Sequence, residues 1–531
     1  VPWITTLLLV PLFGALSMLA VPGGEAGRTQ ARIHALVAAT VSLVLSCIVV
    51  GLFDRDGGGL QLVDRHGWAE RLGLSYNVGV DGISVWLVLL TTGLFFLAVV
   101  AASIRLPERG RGFLALLLLA ETGLIGLFVA GDLVLFYVFW EAMLVPFYFL
   151  IGMWGGPERG RATLTFVIYT MVGSLLMLVA IVAAAFIAED HTGQLTFNIQ
   201  ELRGVAFTGE ESTWLFAGFA LAFAIKLPLW PFHAWMPPAY AQAPILVTGL
   251  LAAVMSKAGV YGLVRIGVPL FPEGADRFAA PLMILALIGI VYGSFVAWRA
   301  STMRLLVAYS SLAHLGFIVL GIMAFDVVAV QGAVLQMVNH GLVVAAAFAI
   351  VGVITSRMGR EGVDDVGGLA AGAPRLAGVF LVVAMAALAI PGSNAFVGEF
   401  FILAGVFQHH PWAAVLACIG IVYAAVYMLR IYQTSMNGAE TADSRRAELR
   451  VPDLVYLLPL SLAMLLIAFW PAGIVGATKA SVERAIAPAQ IAAGRQGDVQ
   501  VVANPPQDHL PLPGDPQPEV PGVPTGAPPT P

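Results

Sequence analysis

Stretches of about 18 or more apolar residues recur along nearly the whole of this 531-residue chain, and each is long enough to cross a bilayer. Lipid offers no hydrogen-bond partner to an exposed backbone, so such a stretch has to close its bonds within itself as a helix. The charge content points the same way. Only 11% of the residues are charged, against roughly a quarter in a soluble domain, too few to clothe a polar surface. The net charge of −5 is too small to imply a nucleic-acid partner. The first run, 3–21, lacks a charged leading segment and is followed by further spans, so it reads as a span and not as a cleaved signal peptide. Cys47 and Cys418 each lie in an apolar run, far apart and without CxxC spacing, which suggests neither a metal site nor a redox disulfide.

The runs number about 14, and the sequence predicts spans at 3–21, 33–53, 81–103, 112–130, 132–153, 163–187, 212–233, 242–266, 280–299, 303–325, 331–355, 375–407, 412–436 and 453–470. Alternate connections are rich in arginine. One set holds Arg28 and Arg32, Arg105, Arg109 and Arg111, Arg159 and Arg161, Arg299 and Arg304, Arg357 and Arg360, then Arg445, Arg446 and Arg450. The opposite set is poorer in arginine, and its 188–211 connection is acidic. By the excess of positive charge on the inner side, the first set faces the cytoplasm and both termini face out. The expected class is an all-α polytopic membrane protein.

Two spans carry their own interruption. The seventh contains Lys226-Leu227-Pro228-Leu229-Trp230-Pro231, the twelfth Ile390-Pro391-Gly392-Ser393-Asn394. Proline lacks a backbone donor and clashes one turn back, so each helix should break there. The breaks are five spans apart and face opposite ways, and each lies beside an ionisable residue. That is the pattern of an inverted repeat with discontinuous helices; bare proline kinks are the simpler alternative. The expected divisions are 1–80 (first helices and an extracytoplasmic loop), 81–270 and 271–436 (two half-channels), 437–487 (a last helix) and 488–531, a Pro-rich tail without apolar period.

Three of the 27 basic residues are lysines, and two of them, Lys226 and Lys257, lie inside apolar runs. Arginine keeps its proton in proteins, whereas a buried lysine can release one. Each charge inside a membrane costs roughly 2.5–3.5 kcal/mol on insertion scales, so several together demand partners or a purpose. Glu141 lies mid-span in FYVFWEAMLVP, too deep to snorkel, with Lys226 as its expected partner. Lys257, His314, His340 and Glu399 follow in later spans. The six residues Glu141, Lys226, Lys257, His314, His340 and Glu399 would form a lateral proton wire; frozen structural pairs are the alternative. Glu121 ranks lower as a further buried carboxylate, and His233 beside the first break is a candidate for proton entry. No phosphate loop, dinucleotide fingerprint, HExxH or metal-ligand cluster occurs, so the chain is expected to carry no cofactor and no metal.

The stretches LFYVFWEAMLVPFYFLIGMW (to Trp154), KLPLWPFHAWMPPAYAQAP (226–244), KAGVYGLVR (257–265), YSSLAHLGF (309–317) and PGSNAFVGEFF (391–401) resemble the antiporter-like subunits of proton-pumping NADH:quinone oxidoreductase, respiratory complex I. The likeness covers about residues 80–435. FWEAML around Glu141, glutamate at 399 where the L and N branches typically have lysine, and the lack of a long lateral helix select the M-type branch. The resemblance implies two inverted five-helix repeats and one proton channel. In it, Glu141 and Lys226 would be a coupled pair, Lys257 the central relay, and His314, His340 and Glu399 the way out. It also implies partners among the other complex I membrane subunits, chiefly the L and N antiporter-like subunits, and membrane lipids. FMN, iron–sulfur clusters and quinone would reside in other subunits, leaving no redox chemistry in this chain. Two positions depart from the family pattern: Tyr240 stands where histidine is usual, and Ser301-Thr302-Met303-Arg304 replaces an Asp followed by Lys and Arg. The alternatives are a subunit of an Mrp-type sodium/proton antiporter, the branch Glu399 argues against, and a purely architectural membrane subunit.

Overall fold

The computed structural model describes residues 1–439 and 443–495. The chain opens with α1 (Trp3–Ser17) and α2 (Gly24–Leu52), then a hairpin of β1 (Gln61–Ala69) and β2 (Leu74–Val80). Five helices follow: α3 (Ser84–Ile104), α4 (Gly110–Val129), α5 (Leu133–Ala142), α6 (Leu144–Trp154) and α7 (Arg159–Thr192). After the single turn α8 (Ile199–Leu202) come α9 (Gly209–Lys226) and α10 (Met236–Gln242). The pieces α11 (Ile245–Leu250), α12 (Lys257–Gly262) and α13 (Val268–Leu270) form one rod, joined by π-helical turns at Leu251–Met255 and Leu263–Gly267. Next stand α14 (Pro272–Arg299), α15 (Met303–Met323) and α16 (Val327–Met358). The remainder is α17 (Leu369–Gly372), α18 (Pro374–Ala387), α19 (Asn394–His409), α20 (Pro411–Met436), α21 (Val451–Phe469) and α22 (Ala472–Ala492).

Among the described residues, twelve segments are long and apolar enough to cross a membrane uninterrupted. They coincide with twelve of the expected spans; the other two are the interrupted ones, which the structure builds as α9–α10 and α18–α19. Several helices outrun their apolar cores: 331–355 is the expected apolar stretch, but α16 runs Val327–Met358. The bilayer sets the length of the apolar run, whereas caps stop the helix. Asp326 accepts from the Ala329 backbone N–H at 2.9 Å at one end, and Gly359, at φ +67°, turns the chain at the other.

Both breaks occur where proline dictates. α9 stops at Lys226, two residues before Pro228, and the carbonyl of Ile225 accepts a 2.7 Å hydrogen bond from the Trp235 indole. A side chain past the break thus serves a carbonyl that the lost helical turn leaves free. α18 ends at Ala387, and the helix resumes at Asn394 after Gly392, whose φ of +94° suits only glycine. α16 and α15 are buried along most of their length and form the centre of the bundle, with α19 packed against both.

The hairpin occupies the part of 1–80 expected as a loop. A two-stranded ribbon is marginal alone, and here α1 anchors it. The Thr5 backbone N–H and hydroxyl both donate to Asp64 Oδ2, at 3.0 and 2.8 Å, and Tyr76 donates to the Thr5 hydroxyl at 2.9 Å. Sequence periodicity does not show that support because α1 lies some sixty positions away in the chain. At the other end, Pro488 lies inside α22, which runs on to Ala492. Residues 496–531, most of the expected tail, lie outside the described residues.

Candidate functional site

The rod α11–α13 places Lys257 between its two π-helical turns. In the first turn, the Ser256 backbone N–H reaches back to the carbonyl of Leu251, five residues away. The neighbouring Ala252 carbonyl accepts from Lys257 Nζ at 2.7 Å and from the Ser256 hydroxyl at 2.8 Å. Such turns, rare in ordinary helices, concentrate at functional positions. Lys257 is fully buried, and its Nζ lies 2.6 Å from Nδ1 of His340 on α16. A buried ammonium donating to a neutral imidazole is a charge-assisted bond, and one proton serves both nitrogens.

From His340 the polar line continues across the centre of the bundle. The rings of His340 and His314 stand 5.5 Å apart, centre to centre. His314 Nδ1 lies 2.9 Å from Glu399 Oε1, and Gln336 Nε2 donates to the same oxygen at 3.1 Å. Glu399 sits on α19, beyond the second break. Two asparagines clamp that restart to α16: Asn339 Nδ2 donates to the Asn394 carbonyl at 2.7 Å, and Asn394 Nδ2 to Asn339 Oδ1 at 3.1 Å. Gln336, Asn339 and Asn394 escaped sequence reading because neutral amides carry no titratable proton. Their signal was position: Gln336 and Asn339 stand one turn and one residue before His340 inside an apolar run.

Lys226 and Glu141 form a separate group. Lys226 is 1% exposed, and Nζ has no hydrogen-bond partner; it sits 4.7 Å from the centre of the Trp140 ring. Among the described residues no ion-pair contact within 4.0 Å joins it to Glu141, the partner expected for it. The reason is helical geometry. Trp140 and Glu141 are neighbours in sequence, so they point about 100° apart around α5. Trp140 is turned inward over Lys226, while Glu141 shares the flank of Val138 and Val145, 47% and 51% exposed. A buried cation over an indole gains roughly 2 kcal/mol, and the aromatic face stands in for the carboxylate.

Between the two groups, α9 and α12 touch at Gly259. A Cβ there would fall 2.5 Å from the Phe223 carbonyl oxygen. Among the described residues no hydrogen bond joins Lys226 to Lys257. Glu121 is buried in α4, its two oxygens without partners, and joins neither group by a hydrogen bond. The His233 ring packs on Tyr292 and Tyr309, at 5.2 and 6.3 Å. Tyr240 is fully buried against Trp235 and Phe348. Arg304, in the stretch that departs from the family pattern, caps the end of α10. It donates to the carbonyls of Tyr240, Ala241 and Ala243, at 3.4, 3.1 and 2.9 Å, and pairs with Glu361 at 2.6 Å.

Two interrupted helices with ionisable side chains buried beside their breaks, in a bundle of membrane-length helices, define an antiporter-like transport subunit. The chain belongs to the family described as NADH:quinone oxidoreductase/Mrp antiporter, transmembrane, whose model matches residues 130–424 and so encloses every site residue above except Glu121. It is 38% identical over 477 residues to the NADH-quinone oxidoreductase subunit M of Rhodobacter capsulatus, covering 88% of this chain and 93% of that protein. A chain of respiratory complex I from Thermus thermophilus superposes with a TM-score of 0.82 at 32% identity, covering 92% of this chain and 99% of that one. A chain of the Mrp complex from a Dietzia species shares the fold alone, with a TM-score of 0.77 at 22% identity over 93% of this chain and 99% of that one.

Proposed function

We propose that this chain is the M-type antiporter-like subunit of a proton-pumping NADH:quinone oxidoreductase, and that protons cross it along its buried ionisable residues. The observation that carries the reading is the polar line from Lys257 through His340 and His314 to Glu399, two of whose three steps are 2.6 and 2.9 Å. Each contact joins groups that can exchange one proton without separating charge in lipid. A proton on Lys257 passes to His340 Nδ1. The His340–His314 step, 5.5 Å between ring centres, is a span that one bridging water covers. His314 then donates to Glu399, and Gln336 holds that carboxylate in place.

Lys226 and Glu141 act upstream as the element that responds to redox events elsewhere in the complex. Lys226 lies over the Trp140 ring and makes no hydrogen bond, so the pair couples through space and not through a formed salt bridge. One charge approaching Lys226 by a few ångströms shifts its proton affinity; a single pKa unit takes about 1.4 kcal/mol. The arginine-rich connections face the cytoplasm, both termini face out, and the L- and N-type subunits are the neighbours in the membrane arm. FMN, iron–sulfur clusters and quinone belong to other subunits, and this chain performs translocation without redox chemistry of its own.

The test is NADH-driven proton uptake in inverted membranes carrying Lys257→Ala or Glu399→Ala. Assembled complex with NADH oxidation but strongly reduced uptake is the expected result; full uptake overturns the reading. The fold is shared with an Mrp chain, so an Mrp-type sodium/proton antiporter is the second reading. Copurification separates the two: flavin and iron–sulfur subunits accompany the first, redox-silent membrane subunits the second.

A further inference from the structure

A cleft of about 650 Å³ opens between α3, α16, α21 and α22. Its walls are apolar. Its floor is the stretch of α16 that carries His340, since Val338 and Leu342, on either side of that histidine, line it. Leu90 of α3 closes on Gly341, where a Cβ would fall 2.7 Å from Leu90 Cδ2. The cleft follows α3 from Trp86 to Leu97, about 16 Å at 1.5 Å per residue. One leaflet of a bilayer is about 15 Å of hydrocarbon, so the cleft is as long as an acyl chain is deep. Leu466 and Trp470 at its edge are 65% and 69% exposed, and the cleft opens past them to the outside of the bundle.

The mouth of the cleft is polar, unlike its walls. Arg55, just past the end of α2, lines it and is exposed, and among the described residues no ion pair engages it. The indole N–H of Trp86 also belongs to the lining; it is buried and has no acceptor. Each is a donor without an oxygen to serve. Two exposed carboxylates, Asp54 and Asp56, flank the guanidinium. The segment is held in place: Gln61 Oε1 accepts from the Asp54 backbone N–H at 2.8 Å, and Asp54 Oδ1 from the Asp56 backbone N–H at 3.1 Å. A cation between two anions suits a zwitterion. A phosphate fits the guanidinium, and a primary ammonium fits either aspartate. A phosphatidylglycerol headgroup has no cation to set against those carboxylates. Trp86 and Trp470 lie at the same end, the place of aromatic residues at a membrane–water interface.

We propose that this cleft is a binding site for phosphatidylethanolamine, with an acyl chain laid along α3 and α21 over the His340 stretch of α16 and the headgroup phosphate on Arg55 and Trp86. Apolar burial of the chain supplies the affinity, and the charges at the mouth select the headgroup. The site stands independently of the proton path.

The experiment uses the whole complex in phosphatidylcholine vesicles. They are doped with phosphatidylethanolamine carrying a photoactivatable diazirine on one acyl chain, or with the same amount of the phosphatidylglycerol analogue. After irradiation, mass spectrometry counts adducts on peptides of α3 and α21, and labelled peptides elsewhere in the complex give the level set by bulk lipid. Phosphatidylethanolamine should label α3 and α21 well above that level, and phosphatidylglycerol should not. Arg55→Ala removes a charge-assisted bond to the phosphate and should cut the labelling about tenfold. A Cβ at Gly93 meets nothing within 4 Å, so the side chain of Gly93→Leu fills the cleft and should return labelling to the bulk level. Should that variant fail to assemble, Gly473→Leu, equally open on α22, takes its place. Asp54→Asn together with Asp56→Asn should let phosphatidylglycerol label as well as phosphatidylethanolamine does. The site is overturned if α3 and α21 are labelled only at the bulk level, which is also the result if another protein chain fills the cleft. It is equally overturned if phosphatidylglycerol labels the parent as strongly, or if Arg55→Ala or the glycine variants keep the parent's labelling.

Discussion

Lys257 Nζ and His340 Nδ1 lie 2.6 Å apart in a fully buried setting, each nitrogen reached from a different central helix. A hydrogen bond to a charged group is worth about 1.5–3 kcal/mol, and in the proposed path it is the step by which Lys257 gives up its proton. His340→Ala should therefore lower NADH-driven proton uptake by about ten- to a hundredfold. His340→Gln, which keeps an acceptor but cannot relay, should assemble better and pump as poorly. Uptake assays in inverted membranes, with complex content checked on native gels, read both. Normal uptake in His340→Gln would remove His340 from the wire.

Gln336 is the amide that sequence reading passed over. Its donation to Glu399 at 3.1 Å is removed in Gln336→Leu with little change in volume. A lost bond to a charged group of about 1.5 kcal/mol predicts roughly tenfold slower uptake in an assembled complex. Gln336→Glu places a second carboxylate against Glu399, which favours keeping a proton on one of them, and uptake should then peak at higher pH than in the parent. An unchanged pH profile in Gln336→Glu tells against this placement.

Lys226 Nζ lies over the Trp140 ring, 4.7 Å from its centre. Glu141→Gln should leave the complex assembled and strongly lower uptake, because the charge that Lys226 senses is gone. Trp140→Leu removes the aromatic face under Nζ, about 2 kcal/mol in a desolvated site, and frees Lys226 to reach Glu141. Uptake in Trp140→Leu should fall, and Glu141→Gln in that background should add little. Additive losses would show that the two residues act independently.

Arg304 binds three carbonyls at the end of α10 and pairs with Glu361. Arg304→Ala leaves those acceptors unserved and should cost roughly 2–3 kcal/mol of stability, seen as a lower Tm of the purified complex. Arg304→Lys supplies one point charge where a planar fork met several acceptors, so it should rescue only part of the loss. A Tm equal to the parent's in Arg304→Ala excludes the capping role.

The apolar runs determined by themselves that this chain is a bundle of membrane helices. Lipid satisfies no backbone group, so run length alone dictates a helix, and proline alone dictates where α9 and α18 stop. The ionisable members of the site were legible for the same reason: Lys257, His314, His340 and Glu399 stand out because a charge inside an apolar run is costly. Tertiary structure decided what each of them touches. It set Lys257 against His340 and His314 against Glu399, residues 83 and 85 positions apart. It put Trp140, and not Glu141, over Lys226, because a turn of 100° per residue sends neighbours to different partners. It also recruited Gln336, Asn339 and Arg304, whose roles depend on acceptors that the fold brings within reach. Hydrophobic periodicity is a property of one helix and the bilayer around it, whereas a proton path is a property of distances between helices, which no single segment encodes.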